Sequence, residues 1–206
     1  GIRDSACLVG SEMCIRDSDE WVVEHFEVDM KSFQAFRLAM DGRPVESGTY
    51  TRLFRKESSM HDPVMSDTPA EMRDLHPIMI RAEGSVLING LGLGVLVKNL
   101  LAKPKVLHID VVETSLSLIN LVGPFYEDPR VKIHHADAYQ VYWPKEQTWD
   151  VAWHDIWDNI CSDNWGEMRM LKQKYRRKVT WQGCWCEDQV RRLVRRERRR
   201  CRSARR

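Results

Sequence analysis

Three glycines at alternate positions follow a short apolar run in the middle of the chain. The run is Val86–Ile88, and the glycines are Gly90, Gly92 and Gly94. Glycine adopts positive φ angles and lets the backbone come close to a ligand, and the N–H groups that open the next helix favour negative or electron-rich ligand groups. The segment is therefore typical of a turn that binds a nucleotide, although a turn that only joins a strand to a helix has the same composition.

Acidic residues follow each of the three later apolar runs. Glu113 comes directly after 106–112 and about 20 residues beyond the glycines, where a carboxylate accepts hydrogen bonds from both ribose hydroxyls of a nucleoside. Asp110 is the alternative, but it lies inside the predicted strand. Asp137 and Asp155 follow the next two runs. Because ligands in open α/β sheets bind at the carboxyl ends of the strands, these acids are candidate site residues.

The order of these motifs resembles that of class I S-adenosylmethionine-dependent methyltransferases, and especially the spermidine synthase-like aminopropyltransferases. A dinucleotide fingerprint would instead have its third glycine at Val95. The resemblance spans about residues 66–160, and it implies S-adenosylmethionine or decarboxylated S-adenosylmethionine as cofactor. The implied cofactor-binding residues are Gly90, Gly92, Gly94, Glu113, Asp137 and Ala138. In this family an Asp at the position of Asp137 accepts the adenine amine, whereas an Asp that stabilises its own turn is a common alternative.

The segment Asp155-Ile156-Trp157-Asp158 resembles the D-x-x-D of the aminopropyltransferases, in which the first Asp helps to activate the attacking amine. The resemblance therefore implies that Asp155 and Asp158 are catalytic, since a carboxylate orients an amine and takes its proton. Asn159 stands where that family has proline. The alternative for Asp155 is a helix N-cap.

Asp67 and Glu71 are candidate substrate-binding residues, because the family has an acidic set before the central strand. The Tyr-His pair of that set is absent here, which weakens the case for polyamine recognition. The alternative is that both acids stabilise a helix N-terminus. Thr68, Pro69 and Glu71 form a capping-box pattern, which predicts a helix that runs to about Arg81.

Alternating apolar runs and helical patterns predict an α/β fold with a doubly wound, mostly parallel Rossmann-like sheet. A small N-terminal β region is predicted before this sheet, and we expect the last strands of a full methyltransferase sheet to be lacking, either because the chain is truncated or because the fold is shortened. Residues 32–40 fit either a strand or a short helix, followed by an Asp41-Gly42 turn. The predicted strands span residues 21–28, 49–54, 86–88, 106–112, 130–135, 150–153 and 179–186.

The chain divides into four predicted parts. Residues 1–18 contain IRDS twice and resemble translated adapter sequence, so we predict a non-native leader. Residues 19–65 form the β region, 66–190 the nucleoside-binding domain and 191–206 a basic tail. From residue 172 onward there are 15 Lys or Arg and 3 acids, which suits either a polyanion partner or a solvated helix end. The solvated end is favoured, because the tail has no aromatic residue to stack on a base.

Composition is typical of a soluble globular protein, and the irregular cysteine spacing predicts reduced thiols in a cytoplasmic setting. Of its 206 residues, 43% are hydrophobic and 30% charged, and no apolar run reaches the ~20 residues that span a bilayer, so no membrane partner is expected. The six cysteines include no CxxC pair, and no metal site is predicted. In a strand, Cys184 and Cys186 would point to the same face.

The leading functional prediction is a methyltransferase that uses S-adenosylmethionine and acts on a small amine or another nucleophilic acceptor. A polyamine aminopropyltransferase is the first alternative. A protein that binds nucleosides or nucleic acid on the same fold without catalysis is the second.

Overall fold

A computed structural model describes residues 16–32, 44–57 and 63–203. Its N-terminal strands are β1 Arg16–Asp17, β2 Trp21–Val28, β3 Gly48–Arg55 and β4 Met65–Ser66. Two short helices follow, α1 Pro69–Asp74 and α2 His76–Met79. The remaining elements are β5 Gly84–Asn89, α3 Val95–Leu101, β6 Val106–Glu113, α4 Leu116–Val122, a 3₁₀ turn Gly123–Tyr126, β7 Val131–His135, β8 Trp149–His154, α5 Asn164–Tyr175, β9 Val179–Cys184 and α6 Glu187–Ser203.

Five parallel strands form the main sheet in the order β7-β6-β5-β8-β9. The chain builds outward from β5 to β7 and then returns to place β8 on the other side of β5. This reversal creates a crevice beyond the carboxyl ends of β5 and β8, where open α/β sheets bind ligands. The predicted α/β fold is therefore confirmed, including the strand that opens the sheet at its centre.

The central strand is buried on both faces. Val86 and Leu87 are 0% exposed and Ile88 is 1% exposed, because helices cover both sides of a parallel sheet. This burial explains why the sequence run shows no alternation of apolar and polar residues.

The small N-terminal sheet is antiparallel, in the order β1-β2-β3-β4, and confirms the predicted β region. Its residues Trp21, Val23 and Leu53 join the same hydrophobic core as the main sheet. The boundaries at 65/66 and 190/191 remain predictions. The alternatives for residues 33–40 and the Asp41-Gly42 turn lie outside the described residues, as does most of the predicted leader.

The predicted helix start is confirmed, with Thr68 at the N-cap and Pro69 at the first helical position, but the side-chain capping box and the single helix to Arg81 are wrong. The Thr68 hydroxyl makes no cap and instead bonds the Ser66 hydroxyl at 3.0 Å. The helix breaks at Leu75 and restarts as α2, because Pro77 lacks an N–H and its ring would clash with the carbonyl four residues earlier in a continuous helix.

Two further expectations change in the structure. Asp110 is 3% exposed and accepts hydrogen bonds from His134 Nε2 at 2.6 Å and from Trp149 Nε1 at 2.8 Å, so it belongs to the core. Cys186 lies beyond the end of β9 with a φ of 50°, so it does not share a strand face with Cys184. Among the described helices, none is long and apolar enough to cross a bilayer.

Candidate functional site

A pocket of about 290 Å³ opens at the carboxyl ends of β5, β6, β7 and β8. Its volume is near the lower end of the ~300–1,000 Å³ usual for small-molecule sites. The sequence-predicted residues on its wall are Gly90, Gly92, Glu113, Asp137, Ala138, Glu71, Asp155 and Asp158. Gly94 and Asp67 do not line it. Most of the predicted residues are thus brought together.

The glycine turn is held by contacts that exclude any side chain. Gly90 has a φ of 101°, and a Cβ there would lie 1.9 Å from the carbonyl oxygen of Asp155. Gly94 has a φ of 71°, and its Cβ would lie 2.0 Å from the ring of Tyr126. The Tyr126 hydroxyl in turn donates to the carbonyl of Leu93 at 2.7 Å. Gly94 therefore supports the turn from behind the pocket.

Three backbone N–H groups between Leu91 and Gly94 already have partners within the protein. Leu91 N–H donates to Glu113 Oε2 at 3.0 Å, and Leu93 N–H donates to the sulfur of Met65 at 3.4 Å. Gly94 N–H donates to the carbonyl of Leu91 at 2.9 Å. Met65 belongs to the small sheet, so that sheet contacts the turn directly.

Glu113 has its carboxylate fixed by the backbone at 9% exposure. Oε2 accepts the N–H of Leu91, and Oε1 accepts the N–H of Ser115 at 2.8 Å and the hydroxyl of Thr114 at 3.3 Å. A carboxylate oxygen has two lone pairs, so Oε2 can still accept one hydrogen bond from a ligand. The side chain is therefore oriented before any ligand binds.

Asp137 serves its own turn as well as the pocket wall. Its Oδ1 accepts the N–H of Tyr139 at 2.6 Å, which is the turn role that the sequence left open. The carbonyl of the next residue, Ala138, accepts from the hydroxyl of Tyr175 at 3.0 Å and from Lys174 Nζ at 2.9 Å. Within the described residues the Ala138 N–H has no hydrogen-bond partner. A carboxylate acceptor and a backbone donor thus lie side by side.

Asp155 is half-buried directly after β8, and its N–H donates to the carbonyl of Asn89 at 2.8 Å. Burial raises the pKa of its carboxyl group to about 8, and the nearby carboxylates of Glu71 and Asp74 shift that pKa in the same direction. Such a group is mostly protonated at neutral pH and exchanges its proton at mildly alkaline pH. A pKa in this range suits a general acid or base.

His154 directly precedes Asp155 in the chain, ends β8 and is 0% exposed. Its Nδ1 accepts from the side-chain amide of Asn89 at 2.7 Å, and its Nε2 donates to Gln182 Oε1 at 3.0 Å, a tautomer assigned from these partners. Burial lowers the pKa of His154 to about 4, so the ring stays neutral. It fixes the end of β8, a role that sequence analysis missed because a buried histidine has no distinctive spacing.

Asp158 and Asp67 are placed differently from Asp155. Asp158 is exposed and forms an ion pair with Arg55 of the small sheet at 3.4 Å. Asp67 is 2% exposed, and its Oδ1 accepts the N–H of Thr51 at 2.6 Å. Burial raises the pKa of Asp67. Its carboxylate therefore joins β3 to the segment after β4 rather than facing the pocket.

The small sheet contributes pocket residues that sequence analysis did not identify. They are Trp21, Leu53, Arg55, Val64 and Met65. Their contribution depends on how the two sheets pack together. No spacing or motif in the sequence indicated it. Within the described residues, no group of three His, Cys, Asp or Glu side chains could hold a metal ion.

Comparisons with known proteins find resemblance only among solved structures; no protein-family model and no curated protein sequence matches the chain. The 23S rRNA methyltransferase ErmE has a TM-score of 0.40 at 17% identity, over 53% of this chain and 41% of its own. The CcbJ methyltransferase from Streptomyces caelestis has a TM-score of 0.40 at 18% identity, over 53% of this chain and 44% of its own. The N-methyltransferase NodS from Bradyrhizobium japonicum WM9 has a TM-score of 0.41 at 13% identity, over 54% of this chain and 64% of its own.

The chain therefore spans less than two thirds of the length of each of these three structures. All three are named as methyltransferases, and none is named as an aminopropyltransferase. Similarity of this degree does not decide a reaction, which has to be inferred from the pocket.

Gly90→Ala should destabilise the protein by at least about 2 kcal/mol, because it forces a side chain into a strained φ and against the Asp155 carbonyl. Gly166→Ala is the matched control. No atom lies within 4 Å of a Cβ at Gly166 in α5, so alanine there should stabilise by about 0.5–1 kcal/mol. Denaturant unfolding measures both changes, and equal effects would contradict the packing described here.

The contribution of Asp155 to the free energy of unfolding should fall as pH rises from about 4 to about 8. Its pKa is about 8 in the folded chain and about 3.9 when unfolded, so the folded state binds more protons in this window. The wild-type protein should therefore lose stability relative to Asp155→Asn between pH 5 and pH 9. Unfolding at both pH values measures this, with Asp19→Asn as the same change at an exposed site. A pH-independent difference would refute the raised pKa.

Proposed function

We propose that the pocket binds S-adenosylmethionine and that the protein transfers its methyl group to an amine or another nucleophilic acceptor. The observation that carries the proposal is the carboxylate of Glu113, fixed at 9% exposure by the N–H groups of Leu91 and Ser115 beside the glycine turn. A preoriented acid at the end of the second strand of the sheet suits a ribose hydroxyl, whose hydrogen bond Oε2 can still accept.

The remaining wall residues fit the other parts of this cofactor. Asp137 supplies an acceptor and the Ala138 N–H a donor, which together match the amine and the ring nitrogen on one edge of adenine. Among the described residues, five acids and one base line the pocket, and the acids outnumber the base even when Asp155 is protonated, so the wall favours a positively charged ligand such as a sulfonium. When bound, S-adenosylmethionine supplies an electrophilic methyl group.

The residues after β8 would act on the acceptor. The carboxylate form of Asp155, which a pKa of about 8 makes available at mildly alkaline pH, orients an attacking amine and accepts its proton. The Asn89 carbonyl binds the backbone N–H of Asp155, and the neutral His154 fixes the end of the strand that precedes Asp155. Asp158, the second acid predicted to be catalytic, and Glu71, predicted to bind substrate, add negative charge to the same wall.

We do not favour aminopropyl transfer from decarboxylated S-adenosylmethionine. The Tyr-His pair expected beside Glu71 is absent, and Asp67, the other acid of that set, lies away from the pocket wall. A purely binding function is also less favoured. Holding the half-buried Asp155 beside Glu71 and Asp74 raises its pKa at a cost in stability that binding alone would not require.

Calorimetry with S-adenosylhomocysteine tests this proposal. We expect binding, and we expect Glu113→Gln to weaken it by about 1–3 kcal/mol, because a ribose hydroxyl loses its charged acceptor. Glu83→Gln is the matched control, since Glu83 is an exposed acid at the amino end of β5. Absence of binding to any adenosyl nucleoside, or preferential binding of NAD, would refute the proposed function.

A further inference from the structure

Arg55 is the one positively charged residue on the described pocket wall. It ends β3, and its guanidinium lies 4.2 Å from the ring centre of Trp21. It also forms the 3.4 Å ion pair with Asp158, which links the small sheet to the loop after β8. The guanidinium thus lies where the small sheet meets the main sheet.

The Trp21 ring that supports Arg55 is itself anchored to the main sheet. Trp21 Nε1 donates to the hydroxyl of Ser115 at 2.8 Å, and Glu20 accepts from the hydroxyl of Ser117 at 2.7 Å. These bonds attach the start of β2 to the beginning of α4, next to Glu113. Arg55 therefore lies between the loop after β6 and the loop after β8, and both loops line the pocket.

A ligand carboxylate has few donors in the glycine turn. The N–H of Leu93 is bonded to Met65 and that of Gly94 to Leu91, so two of the three N–H groups between Gly92 and Gly94 already have partners. The acidic wall would repel a carboxylate elsewhere. Arg55 is the wall residue whose charge would attract it.

We propose that Arg55 binds the amino-acid carboxylate of the adenosyl ligand and thereby selects S-adenosylmethionine over its decarboxylated form. This inference depends on the proposed function. A guanidinium has five N–H donors, and the ion pair with Asp158 leaves donors for a second carboxylate. Both side chains of that pair are nearly half exposed, so the pair is weak and does not hold Arg55 away from a ligand.

The test compares two ligands on the whole chain of 206 residues by calorimetry. S-adenosylhomocysteine carries the carboxylate, and S-adenosyl-3-thiopropylamine is the same molecule without it. Wild type should bind the first about ten-fold or more tightly than the second, the size expected of a charge-assisted hydrogen bond. Arg55→Gln should remove most of this preference by lowering the affinity for the first ligand only. Arg55→Lys, which keeps the charge but loses the planar fork, should retain part of it.

Lys56→Gln is the matched control, because Lys56 is the adjacent residue, carries the same charge and pairs with Asp17 at 3.0 Å away from the pocket wall. It should leave both affinities unchanged. An equal loss of affinity for both ligands in Arg55→Gln would show that Arg55 only supports the fold. That result would overturn this inference but not the proposed function. If wild type bound neither ligand, the proposed function would fail together with the inference.

Discussion

The close contact between Gly90 and the backbone of Asp155 is the constraint on which the rest of the site depends. It joins the carboxyl ends of β5 and β8 at the point where the strand order reverses, and the bond from Asp155 N–H to the Asn89 carbonyl closes the same junction. The turn must leave β5 with a positive φ to pass the carbonyl. Consequently the glycine turn and the candidate catalytic acid keep one fixed separation.

Acidic side chains are concentrated around this junction at a cost in stability. Asp155 is half-buried near Glu71 and Asp74, and its raised pKa records the unfavourable energy of ionising it there. Interior contacts that only stabilise the fold are different in kind: Asp110 is held by His134 and Trp149, and these bonds help to keep its pKa low despite burial. An acid held beside a cavity with a raised pKa is better explained by a ligand than by folding.

The main sheet could be predicted from the sequence because each of its features is local. Val86–Ile88 forms a strand from its own composition, and Gly94 precedes α3 because that position needs a positive φ. The pocket role of Arg55 could not be predicted, since Arg55 and Asp158 meet only through the packing of two sheets. The Thr68 cap failed for a related reason: the Ser66 hydroxyl competes for the same side chain.

The small sheet therefore bears on selectivity as well as on folding. Its strands share the hydrophobic core with the main sheet through Trp21 and Leu53, so the backbone that carries Arg55 is anchored to the main sheet. Under the proposed function, the nucleoside is held by loops of the parallel sheet, while the far end of the cofactor meets a side chain from the antiparallel one. Binding a ligand that contacts both sheets would strengthen their association, because the free energy of that contact is available only when the two are packed together.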